Sequence, residues 1–571
     1  MDTHHAALHT ASPSPSFQGR IFALGWGLLI LLWFAPLGYR DLIHPDEGRY
    51  ASIALEMLQS GDWLSPHLNG FLYFEKPILQ YWMGALSFAV FGVNDFAARF
   101  WPAFMGFVAV GAVGLTAQRL WGARAGHYAA MVMASSTWVL GNSHFLSLDM
   151  GLSGFLTLAL CGFLLAQHDA ASPRQQRNGM WLTWAAMAGA MLSKGLVGLV
   201  IPGATLVLYS LLSRQWGFWR RMHWLSGLAI FFGLTAPWFV AVSLKNPDFF
   251  QFFFIREHFQ RFLTNEAQRP GSMWYFVPIL LAGFLPWTSF LPQLAWLGRH
   301  RQAGQTFQPL RVLLVWAGFV FVFFSVSRSK LPSYILPMFP ALALLLAYQL
   351  DRLSAAHLKK HLLFPLLVWG GVLACVPFAG GYASAETPVA VVMGMAYKVG
   401  IGAGLFLLCG GMAWRALGQD NKPHGVAWMA VGSVLVLTLS MMGHDSFRAL
   451  KSSRTLVAQL TPHLTPDTEV FSVRSYDQTF PFYLRHPVTL VAYVDEFAFG
   501  QQQNPTRALP TLEAFVQRWQ QLPHAAAMLT VADHQRFAQQ GMAMQVVYQD
   551  VRRVVVVKPR TPLAPLTTQL N

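Results

Sequence analysis

The sequence predicts a polytopic α-helical membrane protein of about thirteen transmembrane helices, followed by a soluble α/β domain. Three observations predict it. The 571 residues are 54% hydrophobic and only 11% charged, against roughly 25% charged in soluble domains, and mean hydropathy is +0.39. Apolar runs of about 20 residues, long enough to cross a bilayer, recur along the chain. After about Met442 these runs give way to short β-branched and aromatic segments. A soluble core cannot absorb so much apolar sequence, so the bilayer is the solvent. The 21 Trp and 45 Phe fit interfacial aromatic belts.

The elements follow in order. Met1–Gly19 is polar, with Pro and Ser, and lacks the basic start and cleavage site of a signal peptide. Ile21–Leu37 is therefore expected to be a retained anchor, with Arg20 inside. Spans are expected at 21–38, 96–117, 125–142, 147–167, 179–193, 195–212, 223–243, 274–296, 311–327, 332–350, 362–380, 388–414 and 424–443. Alternating from an inside N-terminus makes every inside loop basic: Arg119 and Arg124, Arg174 and Arg177, Arg214, Arg220 and Arg221, Arg299, Arg301 and Arg311, Arg352, Lys359 and Lys360, Arg415 and Lys422. The positive-inside rule asks for this. The net charge of +15 thus belongs largely to loops and anionic lipid, and no nucleic-acid motif competes with that reading.

The long first outer loop, 39–95, is aromatic and is expected to hold surface helices, one over "ASIALEML" and a second over "KPILQYWMGALSFAVF". The odd number of spans puts the C-terminus outside. The chain thus divides into a membrane domain, 1–444, and a small outer domain, 445–571. There "TEVFSVRSYD", "PVTLVAYVD", "AAMLTVAD" and "MQVVYQDVRRVVVVKPR" read as strands and "LEAFVQRWQQL" as an amphipathic helix. Cys161, Cys375 and Cys409 all lie in apolar stretches, so no disulfide framework is implied.

Acids are rare, 25 in all. Asp46 and Glu47 stand in "HPDEGRY" just after the first span, Glu75 in "YFEKP" of the same loop, and Asp149 at the outer start of the fourth span. A carboxylate at membrane depth is costly unless paired or wet. The bland alternative for Asp46 and Asp149 is helix capping. Against it, three acidic stations converge on one face. That face also gathers cations: Lys76, Lys194, Arg256, His258, Arg261, Arg328 and Lys330. Basic residues there oppose the topological rule; contact with lipid head groups is the bland reading of each alone, and a phosphate pocket near the membrane is the reading of the set. Lys supplies a point charge and Arg a bidentate fork. A transporter would suit the many spans as well, but internal repeats and midplane helix breaks are not evident.

The stretch "HPDEGRYASIALEMLQSGDWLSPHLNGFLYFEKPILQYW" resembles the first periplasmic loop of the aminoarabinose transferases that modify lipid A. These are GT-C-type, polyprenyl-phosphate-dependent glycosyltransferases related to protein O-mannosyltransferases. The resemblance runs through "SLDMG", "LSKG", "REHFQRFLT" and "SRSKLPSYILP" and covers essentially the whole chain. It implies an inverting transfer of 4-amino-4-deoxy-L-arabinose from undecaprenyl phosphate to a lipid A phosphate, at the periplasmic face of a bacterial inner membrane. A relative moving another polyprenyl-linked sugar is the alternative. By motif, Asp46 resembles the main catalytic carboxylate and Asp149 a supporting one. Lys76 resembles a ligand of the donor phosphate, with Arg49, Tyr50, Tyr73 and Glu75 lining the same pocket. His258, Arg261, Lys330 and Tyr334 come from the other matching motifs. Ile78 departs from the pattern, which has a second Pro there. No cofactor is expected to be required; a divalent metal shared by Glu75 and His258 is the alternative.

Overall fold

The computed structural model describes residues 15–260, 271–297, 299 and 304–559. Helix α1 (Pro15–Phe34) leads into the first loop. There Pro45 precedes α2 (Asp46–Ser60), whose first turn carries both acids, a favourable place at the positive end of the helix dipole. Gly61, at φ 70°, closes α2 in the left-handed conformation that glycine adopts without strain. A two-stranded hairpin, β1 (His67–Leu68) and β2 (Phe71–Leu72), follows. Helix α3 (Leu79–Phe91) packs back on α2. Its 13 residues span only about 20 Å, too short to cross. Both stretches of the first loop expected to be helical are therefore helices.

The bundle contains α4 (Asp95–Trp121), α5 (Ala123–Ser135), α6 (Thr137–Ser143), α7 (Leu148–Gln167), α8 (Pro173–Lys194), α9 (Val197–Ser213) and α10 (Trp224–Lys245). After a π-type turn of helix, α11 (Gln251–Gln260), come α12 (Phe276–Gly283), α13 (Leu291–Leu297), α14 (Pro309–Val326), α15 (Phe339–Arg352), α16 (Ala355–Cys375), α17 (Val389–Gly418) and α18 (Lys422–Gly443).

Each of the thirteen expected segments is helical. Among the described residues, eight helices are long and apolar enough to cross a membrane. A ninth is made if the pair Phe276–Gly283 and Thr288–Leu297, bent by 116°, counts as one span. Pro286, which has no N–H to donate, lies in that bend. Three other segments fall short for local reasons. Segment 125–142 is interrupted at Ser136, which is extended. Helix α8 starts in the polar run "PRQQRNG". Val197–Ser213, at 17 residues, is simply short, while the first expected span is helical from Pro15 through Gly38. Helix α7 is the most enclosed of the long spans, whereas α16 and α17 leave most of their apolar surface to lipid.

Beyond α18 a six-stranded sheet has the order β5 (Ala508–Leu509), β4 (Thr489–Val491), β3 (Glu469–Val473), β6 (Ala525–Thr530), β8 (Arg553–Val557), β7 (Gln545–Gln549). The first four strands run parallel, and β8 pairs antiparallel with β6 on one side and β7 on the other. Both sheet faces are covered, so the run "RVVVV" shows no polar alternation. Phe471, Val473, Val554 and Val556 pack on Phe515 and Trp519 of the helix Leu512–Gln521. Val470, Met528, Val555 and Val557 face the other way, into one core with Tyr50, Ile53, Phe71 and Tyr73 of the first loop. The C-terminal domain thus docks on α2 and its hairpin, through the helices Thr479–Leu484 and Ala498–Gln503.

Candidate active site

Asp46 and Glu47 are neighbours with opposite environments, because consecutive helical residues point about 100° apart. Glu47 faces the bundle and is fully buried. Its Oε2 accepts from Arg40 Nη1 at 2.7 Å and Arg99 Nη2 at 2.8 Å. Its Oε1 accepts from Arg40 Nη2 at 2.8 Å and Arg99 Nε at 2.7 Å. The amides of Ile43 and Leu146 add one bond each at 3.1 Å. Burial opposes ionisation, but the two guanidiniums outweigh it and hold the Glu47 carboxyl far below the usual carboxylate range. Glu47 is a structural hub, with every lone pair committed, and it joins the first loop to α4 and to the turn before α7.

Asp46 faces the other way, with its side chain 39% exposed. One oxygen accepts from Arg49 Nη1 at 2.8 Å, the pairing expected of residues three apart on a helix. Asp46 is the first residue of α2 rather than its N-cap, which is Pro45, and its side chain is engaged by Arg49. Arg49 is held from its other side by Glu496, through Nε at 2.5 Å. Gln478 Nε2 secures the second Glu496 oxygen at 2.7 Å. Burial pushes the Glu496 carboxyl up, against the pull of Arg49. Gly48 is required here: a Cβ would lie 2.5 Å from the Gln478 carbonyl carbon. One turn on, Ser52 Oγ donates to the Gln478 carbonyl at 3.1 Å.

Asp149 forms the second station. Ser147 caps α7, which leaves the carboxylate for other partners. Its Oδ1 accepts from Lys194, the last residue of α8, and its Oδ2 from Ser333 Oγ at 2.8 Å. Lys194 Nζ also lies 4.6 Å from the centre of the Tyr334 ring. Lys194 is within electrostatic reach of Asp46, and Tyr50 of both Asp46 and Asp149. Tyr73 is buried, within electrostatic reach of Glu75, Arg49 and Glu496.

The structure therefore brings together Asp46, Arg49, Tyr50, Tyr73, Glu75, Asp149 and Tyr334. Lys76 stands at the same loop and donates from Nζ to the Glu75 carbonyl at 2.9 Å. Lys330 is buried and turned into its own loop, on the carbonyls of Ser325 and Ser327 that α14 leaves at its end. Arg261 lies outside the described residues. His258 is in the helix Gln251–Gln260, but its side chain lies outside them, and with it the Glu75–His258 metal pairing. No group of three or more metal-ligating side chains is present among the described residues.

Arg40, Arg99, Ser333, Gln478 and Glu496 were not placed at the site by sequence, and Lys194 only as one outer cation among several. Arg99 carried a signal, since it is a charge inside an apolar run. Glu496 and Gln478 carried none, because their role depends on the sheet docking on α2.

Residues 25–253 match the family model described as dolichyl-phosphate-mannose-protein mannosyltransferase. Residues 456–558 match the aminoarabinose transferase C-terminal domain. The chain is 36% identical over 358 residues, 61% of its length, to an undecaprenyl phosphate-alpha-4-amino-4-deoxy-L-arabinose arabinosyl transferase of Edwardsiella ictaluri, of which the match spans 63%. It is 34% identical over 405 residues, 66% of its length, to one from Pseudomonas fluorescens, of which the match spans 67%. Its fold matches the crystal structure of ArnT from Cupriavidus metallidurans bound to undecaprenyl phosphate, with a TM-score of 0.91, 36% identity and coverage of 95% of this chain and 99% of that one. The chain thus combines a GT-C-type membrane fold with a C-terminal domain of the matching kind, and the protein belongs to the aminoarabinose transferase family.

Proposed function

We propose that the protein is an inverting glycosyltransferase that moves 4-amino-4-deoxy-L-arabinose from undecaprenyl phosphate to a phosphate of lipid A. One observation carries the reading. A partly exposed carboxylate, Asp46, is fixed by Arg49 at the same face as the Asp149–Lys194 pair, in a fold matched across its length by a relative bound to undecaprenyl phosphate. The opposite loops are the basic ones, so the positive-inside rule puts them in the cytoplasm and this face in the periplasm of a bacterial inner membrane.

The bond from the sugar anomeric carbon to the lipid phosphate breaks, and the phosphate leaves with its electrons. Fixed cations stabilise that charge without reorganising. Lys76, in the loop beside Asp46, is assigned this role, with Lys194 held on the other side by Asp149. These groups belong to the chain itself, and the reading assigns no step to a metal. The acceptor oxygen attacks from the opposite face of the ring and inverts the carbon. A phosphate monoester has a second pKa near roughly 6 and is mostly ionised at neutral pH. Asp46 then orients the acceptor and takes up a residual proton rather than deprotonating an alcohol. Tyr50 and Tyr73 close the pocket against water.

The test is a reconstituted transfer. Purified protein in lipid is given lipid A and undecaprenyl-phospho-aminoarabinose, and the product is read by mass spectrometry. The expected result is a gain of one aminoarabinose. Transfer from a different undecaprenyl-linked sugar, with none from this donor, would overturn the assignment.

A further inference from the structure

The segment joining the last span to the sheet carries cations that the reaction does not use. We propose that it is a second phosphate-binding surface, which holds the acceptor lipid by the phosphate that does not react. This rests on the reading of the acceptor as lipid A, a lipid with two phosphates.

Lys398 is nine residues into α17, about 14 Å along it. A lysine inside a span is costly without a purpose. Its Nζ donates to the Met442 carbonyl at 3.1 Å and to Tyr39 Oη at 3.4 Å, and lies 5.4 Å from the centre of the Tyr39 ring. All three contacts are neutral. Lys451 ends the short helix Arg448–Lys451 and is exposed. Arg552, also exposed, donates from Nη1 to the Leu450 carbonyl at 2.8 Å and lies 3.0 Å from His44 Nε2.

Their neighbours behave differently. Arg448 is bound to Asp445 and Asp41, and Arg454 to Asp41 and Asp95. Among the described residues no carboxylate pairs with Lys398, Lys451 or Arg552. The segment Met442–Lys451 thus carries one such cation, Lys451, and receives two more on its backbone, Lys398 at the Met442 carbonyl and Arg552 at the Leu450 carbonyl. It also adjoins the catalytic loop. The His44 amide donates to the Lys451 carbonyl at 2.9 Å, two residues before Asp46. Compact ammonium and forked guanidinium groups suit a phosphate monoester on a lipid.

The triple variant Lys398→Gln, Lys451→Gln, Arg552→Gln tests this. Binding of doubly and singly phosphorylated lipid A, and of phosphatidylglycerol, is measured by native mass spectrometry on wild type and variant. Wild type is expected to prefer the doubly phosphorylated form about tenfold, the scale of a few partly exposed ion pairs. The variant is expected to lose that preference while binding undecaprenyl phosphate as before. Retention of the preference overturns the proposal. Equal loss toward both lipid A forms and phosphatidylglycerol also overturns it, because the surface then serves bulk anionic lipid. Should the triple variant lose undecaprenyl phosphate as well, the exposed pair Lys451→Gln, Arg552→Gln is read in its place, with a smaller loss expected and none overturning. Because binding is the readout, the result stands apart from whether aminoarabinose is the sugar transferred.

Discussion

Arg49 Nε donates to Glu496 Oε2 at 2.5 Å, across 447 positions of sequence. The same guanidinium holds Asp46, so the C-terminal sheet sets the position of the proposed catalytic carboxylate. Glu496→Ala is expected to leave Arg49 without its anchor and to lower kcat about tenfold or more, with donor KM nearly unchanged, since small misplacements at a reacting centre can cost up to about a hundredfold. Glu496→Asp should recover part of the loss. Steady-state kinetics on both variants check this, and an unchanged kcat in the alanine variant would remove the link.

Glu47→Gln is expected to damage the fold rather than the chemistry. It leaves Arg40 and Arg99 buried against a neutral amide, and breaking such a cluster costs roughly 3–5 kcal/mol. A markedly lower thermal midpoint in detergent, beside a normal midpoint for Asp46→Asn, is the expected pair of results. Equal midpoints would contradict the hub.

Gly48→Ala places a methyl group 2.5 Å from the Gln478 backbone. Neither α2 nor that backbone can yield easily, and overpacking of this kind costs roughly 1–3 kcal/mol. Limited proteolysis after residue 444 should speed up in the variant, as the sheet loosens from α2.

Glu56 predicts a pH dependence. Its carboxylate receives the amides of Asn69 and Gly70 at 2.5 and 2.7 Å. Burial nonetheless pushes its pKa up to about 7. A folded pKa above the unfolded one means that the folded state holds the proton longer, so this group's contribution falls as pH rises from the ordinary carboxylate range to about 7 and is level above. Thermal midpoints taken from pH 5 to 8 should therefore decline over that window, and Glu56→Gln should flatten the decline.

The membrane bundle was legible because apolar length and loop charge act on whole segments. Every expected span is helical, and Ser136, the bend at Pro286, the polar start of α8 and the shortness of α9 interrupt or shorten four of them. The strands after Met442 were legible from β-branched runs. The acidic stations were legible as charges where charge is costly. The split between Asp46 and Glu47 was not, because it depends on which way α2 is turned against the bundle. Glu496 was hidden for a related reason. Nothing local marks an acid in "VDEF" as a partner of Arg49; only the docking of the sheet on α2 joins them.

The most direct measurement of the central claim is the transfer assay with Asp46→Asn. The variant keeps the shape of the side chain and removes its charge. Loss of the aminoarabinose mass gain by about a hundredfold or more, in a protein with a wild-type thermal midpoint and unchanged undecaprenyl phosphate binding, is the predicted result. Near-wild-type turnover would contradict the role given to Asp46 and move the search to Asp149.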